Sequence, residues 1–194
     1  MLTPRYLLPF DSKRALHRFA DVLVIGGGLA GLRAANAVEP NQSVLVVTKD
    51  RLLESNSSYA QGGIAGVLDP NDCFESHVAD TLAAGGNLCD EEIVNMVIRE
   101  GPRRIEELMR WGTQFDHREG ELSLGREGGH SRGRIVHARG DATGQEVMRA
   151  VVSRTREMPN IDIWERAFTV DLLTYEGRCR GALIFDSHRQ PVMV

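Results

Sequence analysis

A run of apolar residues that ends in glycines constrains this chain most: Val22, Leu23, Val24 and Ile25 lead straight into Gly26, Gly27, Gly28, Leu29, Ala30 and Gly31. A short continuous apolar run bounded by glycine reads as a central parallel strand covered on both faces, so these side chains are expected to be buried. Gly26, Gly28 and Gly31 carry the G-x-G-x-x-G spacing. The first glycine makes the tight turn, the second lets backbone N–H groups approach a pyrophosphate, and the third lets the next helix pack closely on the strand. That helix is placed from about Leu29 to Val38, with its positive end toward the phosphates. A second strand follows at Val44 to Val47. The generic fingerprint ends this strand in Asp or Glu, to hold a ribose 2′-hydroxyl, whereas here come Thr48 and Lys49. The missing acid weakens NAD and leaves FAD open. A glycine turn that serves only packing is the competing reading.

Some thirty residues on lies Ser57-Ser58-Tyr59-Ala60-Gln61-Gly62-Gly63-Ile64-Ala65. It is a polar, small-residue loop of the kind that can lie against a flat cofactor, or alternatively a Ser/Gly turn between elements. In order after it come Ser76 to Gly86, Trp111-Gly112, Arg126-Glu127-Gly128-Gly129-His130-Ser131, Arg134 to Ala138 and Asp141-Ala142-Thr143-Gly144. This ordered series resembles the flavoprotein family that contains L-aspartate oxidase and the flavin subunits of succinate dehydrogenase and fumarate reductase. The resemblance covers nearly everything after Asp21 and is greatest to the aspartate oxidase branch.

The resemblance implies an α/β fold: a Rossmann-like FAD-binding domain, a parallel sheet with helices, plus a β-hairpin or meander, ending before the family's capping domain. Residues 1–20 are then a leader and residues 21–194 the N-terminal, incomplete part of the FAD-binding domain. It further implies that Gly26, Gly27, Gly28, Leu29, Ala30 and Gly31 hold the pyrophosphate. Lys49 and backbone near Val170 serve the adenosine side, and Asn56, Ser57, Ser58, Tyr59, Ala60, Gln61, Gly62 and Gly63 serve the flavin and its phosphate. The dehydrogenase and reductase subunits attach FAD through a histidine five residues before the glutamine. Asn56 stands there, so the FAD is expected to be non-covalent.

Glu127 takes the position of an aromatic residue in the dehydrogenase-type chains, and in the aspartate oxidases this glutamate orients the substrate. L-aspartate differs from succinate by an ammonium group. A carboxylate pairs with an ammonium through charge-assisted hydrogen bonds and repels a plain dicarboxylate. The family activity is hydride removal from Cα of L-aspartate to flavin N5, giving iminoaspartate, with O2 or fumarate reoxidising the flavin. The product feeds quinolinate synthase on the route to NAD. A chain of 194 residues is too short for that family and is expected to be an N-terminal fragment. The groups that bind both substrate carboxylates and move the proton lie, in the family, beyond Val194, so little or no oxidase activity is expected of this chain alone. The alternatives are a succinate dehydrogenase or fumarate reductase type flavoprotein and an inactive truncated FAD-binding remnant.

Composition narrows the partners. With 42% apolar residues the chain can bury a core. A net charge of −4, with both signs interspersed, offers no basic stripe for nucleic acid or an anionic membrane. Cys73, Cys89 and Cys179 are widely spaced without C-x-x-C pairing, against a disulfide framework or a zinc site and in favour of a reducing cytoplasm. No metal ligand set is expected. No apolar stretch approaches the ~20 residues of a spanning helix.

Further along, Asp90 is placed to cap a helix whose stripe is Ile93, Val94, Val97 and Ile98. Gly101-Pro102 is expected to break it and open another, with Ile105, Leu108 and Met109 on one face. Asp141 or Thr143 is expected to cap a helix that buries Val147, Ala150 and Val151 and ends near Pro159. Ile161 to Trp164, Phe168 to Tyr175 and Arg178 to Asp186 read as strands, the last two joined at Glu176-Gly177. His77, His130 and His137 read more readily as hydrogen-bonded structural residues than as bases.

Overall fold

Apolar runs, glycine turns and capped amphipathic segments alternate along the chain, and each becomes a short element. The computed structural model describes residues 6–194. In chain order these are β1 (Leu16–His17), β2 (Val22–Ile25), α1 (Leu29–Ala35), β3 (Val44–Val47), β4 (Ile64–Ala65), α2 (Phe74–Gly85) and α3 (Glu91–Arg110). They are followed by β5 (His117–Arg118), β6 (Glu121–Leu122), β7 (Leu124–Gly125), β8 (Ile135–Val136), α4 (Thr143–Arg156), β9 (Ile161–Trp164), β10 (Phe168–Tyr175), β11 (Arg178–Phe185) and β12 (Pro191–Met193). The fold is mixed α/β, as expected. It divides into two compact units, one from the chain up to Asn56 together with Val151–Val194, the other from Ser57–Ala150.

In the first unit β2, β3 and β9 form a parallel sheet in the order β2-β3-β9. The second sheet runs β1-β12-β11-β10, and in it β10 and β11 form the expected hairpin. Its turn residues Glu176 and Gly177 both have positive φ, 50° and 72°, which suits a tight two-residue connection between twisted strands. Leu45 and Val47 of β3 meet Ala167, Ala182 and Ile184, so the parallel sheet and the meander share one core. Leu16 and His17, within the stretch read as a leader, pair in parallel with Val192 and Met193; residues 1–5 of that stretch lie outside the described residues.

The central strand is β3 and not β2. All four β3 side chains are buried, whereas β2 lies at one end of the sheet and leaves Ile25 49% exposed. An apolar run marks strand and burial potential but does not say which strand gains two neighbours. α1 is shorter than expected, because Ala37 and Val38 bond to carbonyls three residues back and the Asn36 amide caps Leu32 O at 2.8 Å.

In the second unit α2 packs on α3, and β4, β8 and β7 form an antiparallel sheet in the order β4-β8-β7. Asp90 caps α3 as expected, accepting from Ile93 N at 3.1 Å. Gly101-Pro102 does not break this helix. Ile98, Ile105 and Leu108 are buried in phase on one face, and continuing that face outweighs the ~3 kcal/mol that an interior proline costs. Ile93, Val97 and Met109, expected in the stripes, are exposed, so the buried face is narrower than the apolar pattern. α4 begins at Thr143 and ends at Arg156, and Val147, Ala150 and Val151 are buried as expected. Thr143 is already helical, and its hydroxyl accepts from the Ala138 N–H instead of capping.

Candidate functional site

The glycine turn of the first unit is built for close backbone approach. Gly26 has φ +114°, and its N–H donates to Val47 O at 2.8 Å, which closes the turn against β3. A Cβ on Gly31 would stand closer than 3.0 Å to Gly26 O, so the third glycine lets α1 rest on the end of β2. A Cβ on Gly27 would lie 2.6 Å from Leu52 Cδ2, which keeps the segment after β3 packed under the turn. Above Gly26 a Cβ would meet nothing within 4 Å, Gly28 caps α1 without a side chain, and the first turn of α1 holds no acidic residue. Open space above the turn and a first helical turn without an acidic residue fit a diphosphate. Leu29 and Ala30 open the helix, and Lys49 is exposed just past β3.

The Ala167 N–H donates to Thr48 O at 3.0 Å, which sets the end of β3 beside the start of β10. Val170 is the extra residue of a bulge between Thr169 and Asp171, so its backbone is left out of the regular ladder. Asn56 is exposed at the end of this unit's first segment.

In the second unit Tyr59, Ala60, Gln61 and Gly62 are exposed, and Ser57, Ser58 and Gly63 are half-buried. Gly63 is pressed to β8 so tightly that a Cβ would overlap Ile135 and Val136. Gly144 N donates to Ala60 O at 3.0 Å, and a Cβ on Gly144 would lie 2.7 Å from that oxygen. The Asp141 to Gly144 segment therefore fixes the shape of the small-residue loop, a role its glycine could have signalled.

Glu127 is 49% exposed on its glycine loop, and its Oε1 lies 2.8 Å from His137 Nε2. The loop closes on itself through Arg126 Nε to His130 O at 2.9 Å and His130 N to Glu127 O at 3.3 Å. His77 is buried with its ring 5.5 Å from that of His130, and burial pushes its imidazole below the usual value.

Arg134 was not expected to matter and proves to be the most deeply buried charge near the loop. Its side chain is 0% exposed; Nε and Nη2 donate to the two Asp72 oxygens at 2.8 Å, and Nη1 donates to Asp80 Oδ2 at 2.8 Å. Asp80 Oδ2 also accepts from Ser131 N and Ser131 Oγ at 2.7 Å, which ties the end of the Glu127 loop to α2. The signal was present: Ser76 and Asp80 stand four apart on α2, and Asp72 stands four residues before Ser76, just ahead of the helix.

The Ser131 hydrogen bonds, and then Arg134, hold the Asp80 carboxyl down at about 2. A carboxyl depressed in the folded protein adds stability above its unfolded value and loses it as pH falls toward the folded one. Thermal melting should therefore fall between about pH 4 and pH 2, and Asp80→Asn should flatten that part of the profile. An unchanged profile would show that Asp80 is not the group responsible. Elsewhere Glu146 is buried and accepts from Arg149, Arg139 and Gln114 N, a structural cluster that lowers its own proton affinity.

Among the described residues no group of three or more His, Cys, Asp or Glu side chains is arranged to hold a metal ion, and no helix is long and apolar enough to cross a membrane.

The chain is similar to known proteins over most of its length. Over 158 residues the chain is 52% identical to the chloroplastic L-aspartate oxidase of Arabidopsis thaliana, covering 81% of this chain and 24% of that one. It is 46% identical to the L-aspartate oxidase of Streptomyces coelicolor over 168 residues, 85% of this chain and 29% of that one. The chain thus spans about a quarter to a third of the length of such relatives. A solved structure of a point variant of E. coli quinol fumarate reductase FrdA superposes with a TM-score of 0.87 at 29% identity, covering 92% of this chain and 31% of that chain. The family model described as FAD binding domain matches residues 21–192, a span that takes in the glycine turn, the small-residue loop and the meander alike. That span is most of the chain, and the chain belongs to the FAD binding domain family.

Proposed function

We propose that this chain is the cofactor-binding part of an FAD-dependent enzyme that oxidises L-aspartate to iminoaspartate, with O2 or fumarate as acceptor. The product would pass to quinolinate synthase for NAD synthesis in the cytoplasm, with no role for nucleic acid or membrane. The carrying observation is Glu127: a half-exposed carboxylate, held at one oxygen, on a loop braced by Arg134. The relatives' names support the substrate.

Residues 21–194 act here as part of one FAD-binding domain preceded by a leader. The backbone from Gly26 to Gly31 receives the diphosphate, with Lys49 and the Val170 bulge toward the adenosine. Asn56 and the stretch Ser57 to Gly63, of which Tyr59 to Gly62 are exposed, serve the flavin side. Asn56 has no imidazole, so the cofactor stays non-covalent. When bound, FAD supplies two-electron acceptance from Cα of the substrate. Glu127 selects an amino dicarboxylate, because its charge pairs with the ammonium that succinate lacks and repels a plain dicarboxylate.

In the FAD-loaded chain, Glu127→Gln is expected to weaken L-aspartate about tenfold, the order set by one charge-assisted hydrogen bond at a half-exposed site. Succinate should bind as well as before or better. Flavin absorbance titrations read both constants, and an unchanged preference would remove Glu127 as the selector. Oxidase turnover of this chain should stay near background in a peroxide assay, because positioning groups beyond Glu127 supply much of the barrier reduction.

A further inference from the structure

We propose that His137 is the positioning residue for Glu127 and, through it, a determinant of ammonium recognition; this rests on the substrate reading above. The imidazole is the fixed partner of the pair. It is 24% exposed against 49% for Glu127. Its ring follows β8, the middle strand of β4-β8-β7, and lies in a slot made by glycines on both neighbours. A Cβ on Gly125, at the end of β7, would stand 2.9 Å from His137 Cε1, and a Cβ on Gly63, just before β4, would stand 3.0 Å from His137 Cδ2. Side chains at either position would push the ring away.

The glutamate, by contrast, precedes Gly128, around which a Cβ would meet nothing within 4 Å, and Gly129 at φ +83°. A carboxylate on such a loop samples many positions and must be ordered before it can grip a ligand. Pairing Oε1 with His137 Nε2 at 2.8 Å orders it in advance. Oε2, for which no partner is found among the described residues, is then left for a cation. Gly63 belongs to the small-residue loop, so the same slot ties the position of that loop to the position of the carboxylate.

The test uses the full chain. Without substrate, the ring nitrogens of His137 are followed by 15N NMR, and Glu127→Gln is expected to shift them. With FAD bound, dissociation constants for L-aspartate and succinate are taken from flavin absorbance for the wild type, His137→Leu and His137→Gln. Loss of the donor in His137→Leu is expected to weaken L-aspartate about tenfold and succinate less than twofold, whereas the amide donor of His137→Gln restores L-aspartate to within about threefold. Equal weakening of both ligands, unchanged L-aspartate binding in His137→Leu, or ring nitrogens that ignore Glu127→Gln would overturn the proposal. If the wild type does not prefer L-aspartate to succinate, the substrate reading fails instead, and the positioning role is decided by the ring nitrogens alone. Those same resonances decide it if His137→Leu does not fold.

Discussion

Replacing Arg134 with Met is expected to lower the unfolding free energy of this protein by about 3–5 kcal/mol, because it leaves buried charge without a partner. Asp72 is 2% and Asp80 18% exposed, and Arg134 supplies bonds to both. In urea, with a slope of about 1–3 kcal/mol per molar, the midpoint should fall by at least 1 M or so. Adding Asp72→Asn and Asp80→Asn to Arg134→Met should recover part of the loss, since the residual cost lies in the stranded charges and not in the missing guanidinium as such. A loss below about 1 kcal/mol for Arg134→Met would mean that the network is solvated and weak. A folded but loosened Arg134→Met protein should also show a freer Glu127, because Ser131 shares Asp80 with Arg134.

Gly31→Ala is expected to reduce FAD affinity by about 10–100-fold, the cost of shifting the backbone that receives a diphosphate. The added methyl would collide with Gly26 O and stand 3.3 Å from Val24 Cγ1, and backbone cannot swing aside as a side-chain tip can. Relief requires α1 to move away from β2, and that displaces Gly28, the residue from which the helix starts. The flavin absorbance of protein purified with excess FAD, together with a melting curve to show that the variant folds, separates loss of cofactor from loss of structure. A folded Gly31→Ala protein that retains flavin like the wild type would show that the third glycine is only a packing device.

The glycine turn, the strand β3, the hairpin at Glu176-Gly177 and the buried face of α4 were all legible in the sequence. Each is set by local chemistry: glycine conformation, apolar periodicity and turn residues within a few positions. What was not legible depends on long-range packing. Whether β2 or β3 lies in the middle is decided by where Ile161 to Trp164 returns, more than a hundred residues later. Pro102 reads as a helix breaker until the face formed by Ile98, Ile105 and Leu108 is seen to carry on past it. At the site, Glu127 was marked by a family resemblance. Arg134 and His137 lay inside a motif of the same resemblance but were given no part in the site, because an arginine before two apolar residues looks like a surface residue until Asp72 and Asp80 are folded against it. His137 gains its partner only through the pairing of β8 with β7, ten residues from Glu127 in the chain.

The most direct measurement is an equilibrium titration of the purified chain with FAD, followed by acid precipitation of the complex. One flavin bound per chain and released into the supernatant is the expected result if, as proposed, the glycine turn receives the cofactor, since Asn56 offers no bond to it. A chain that takes up no flavin, or one that carries it into the pellet, would contradict non-covalent FAD binding by this fold.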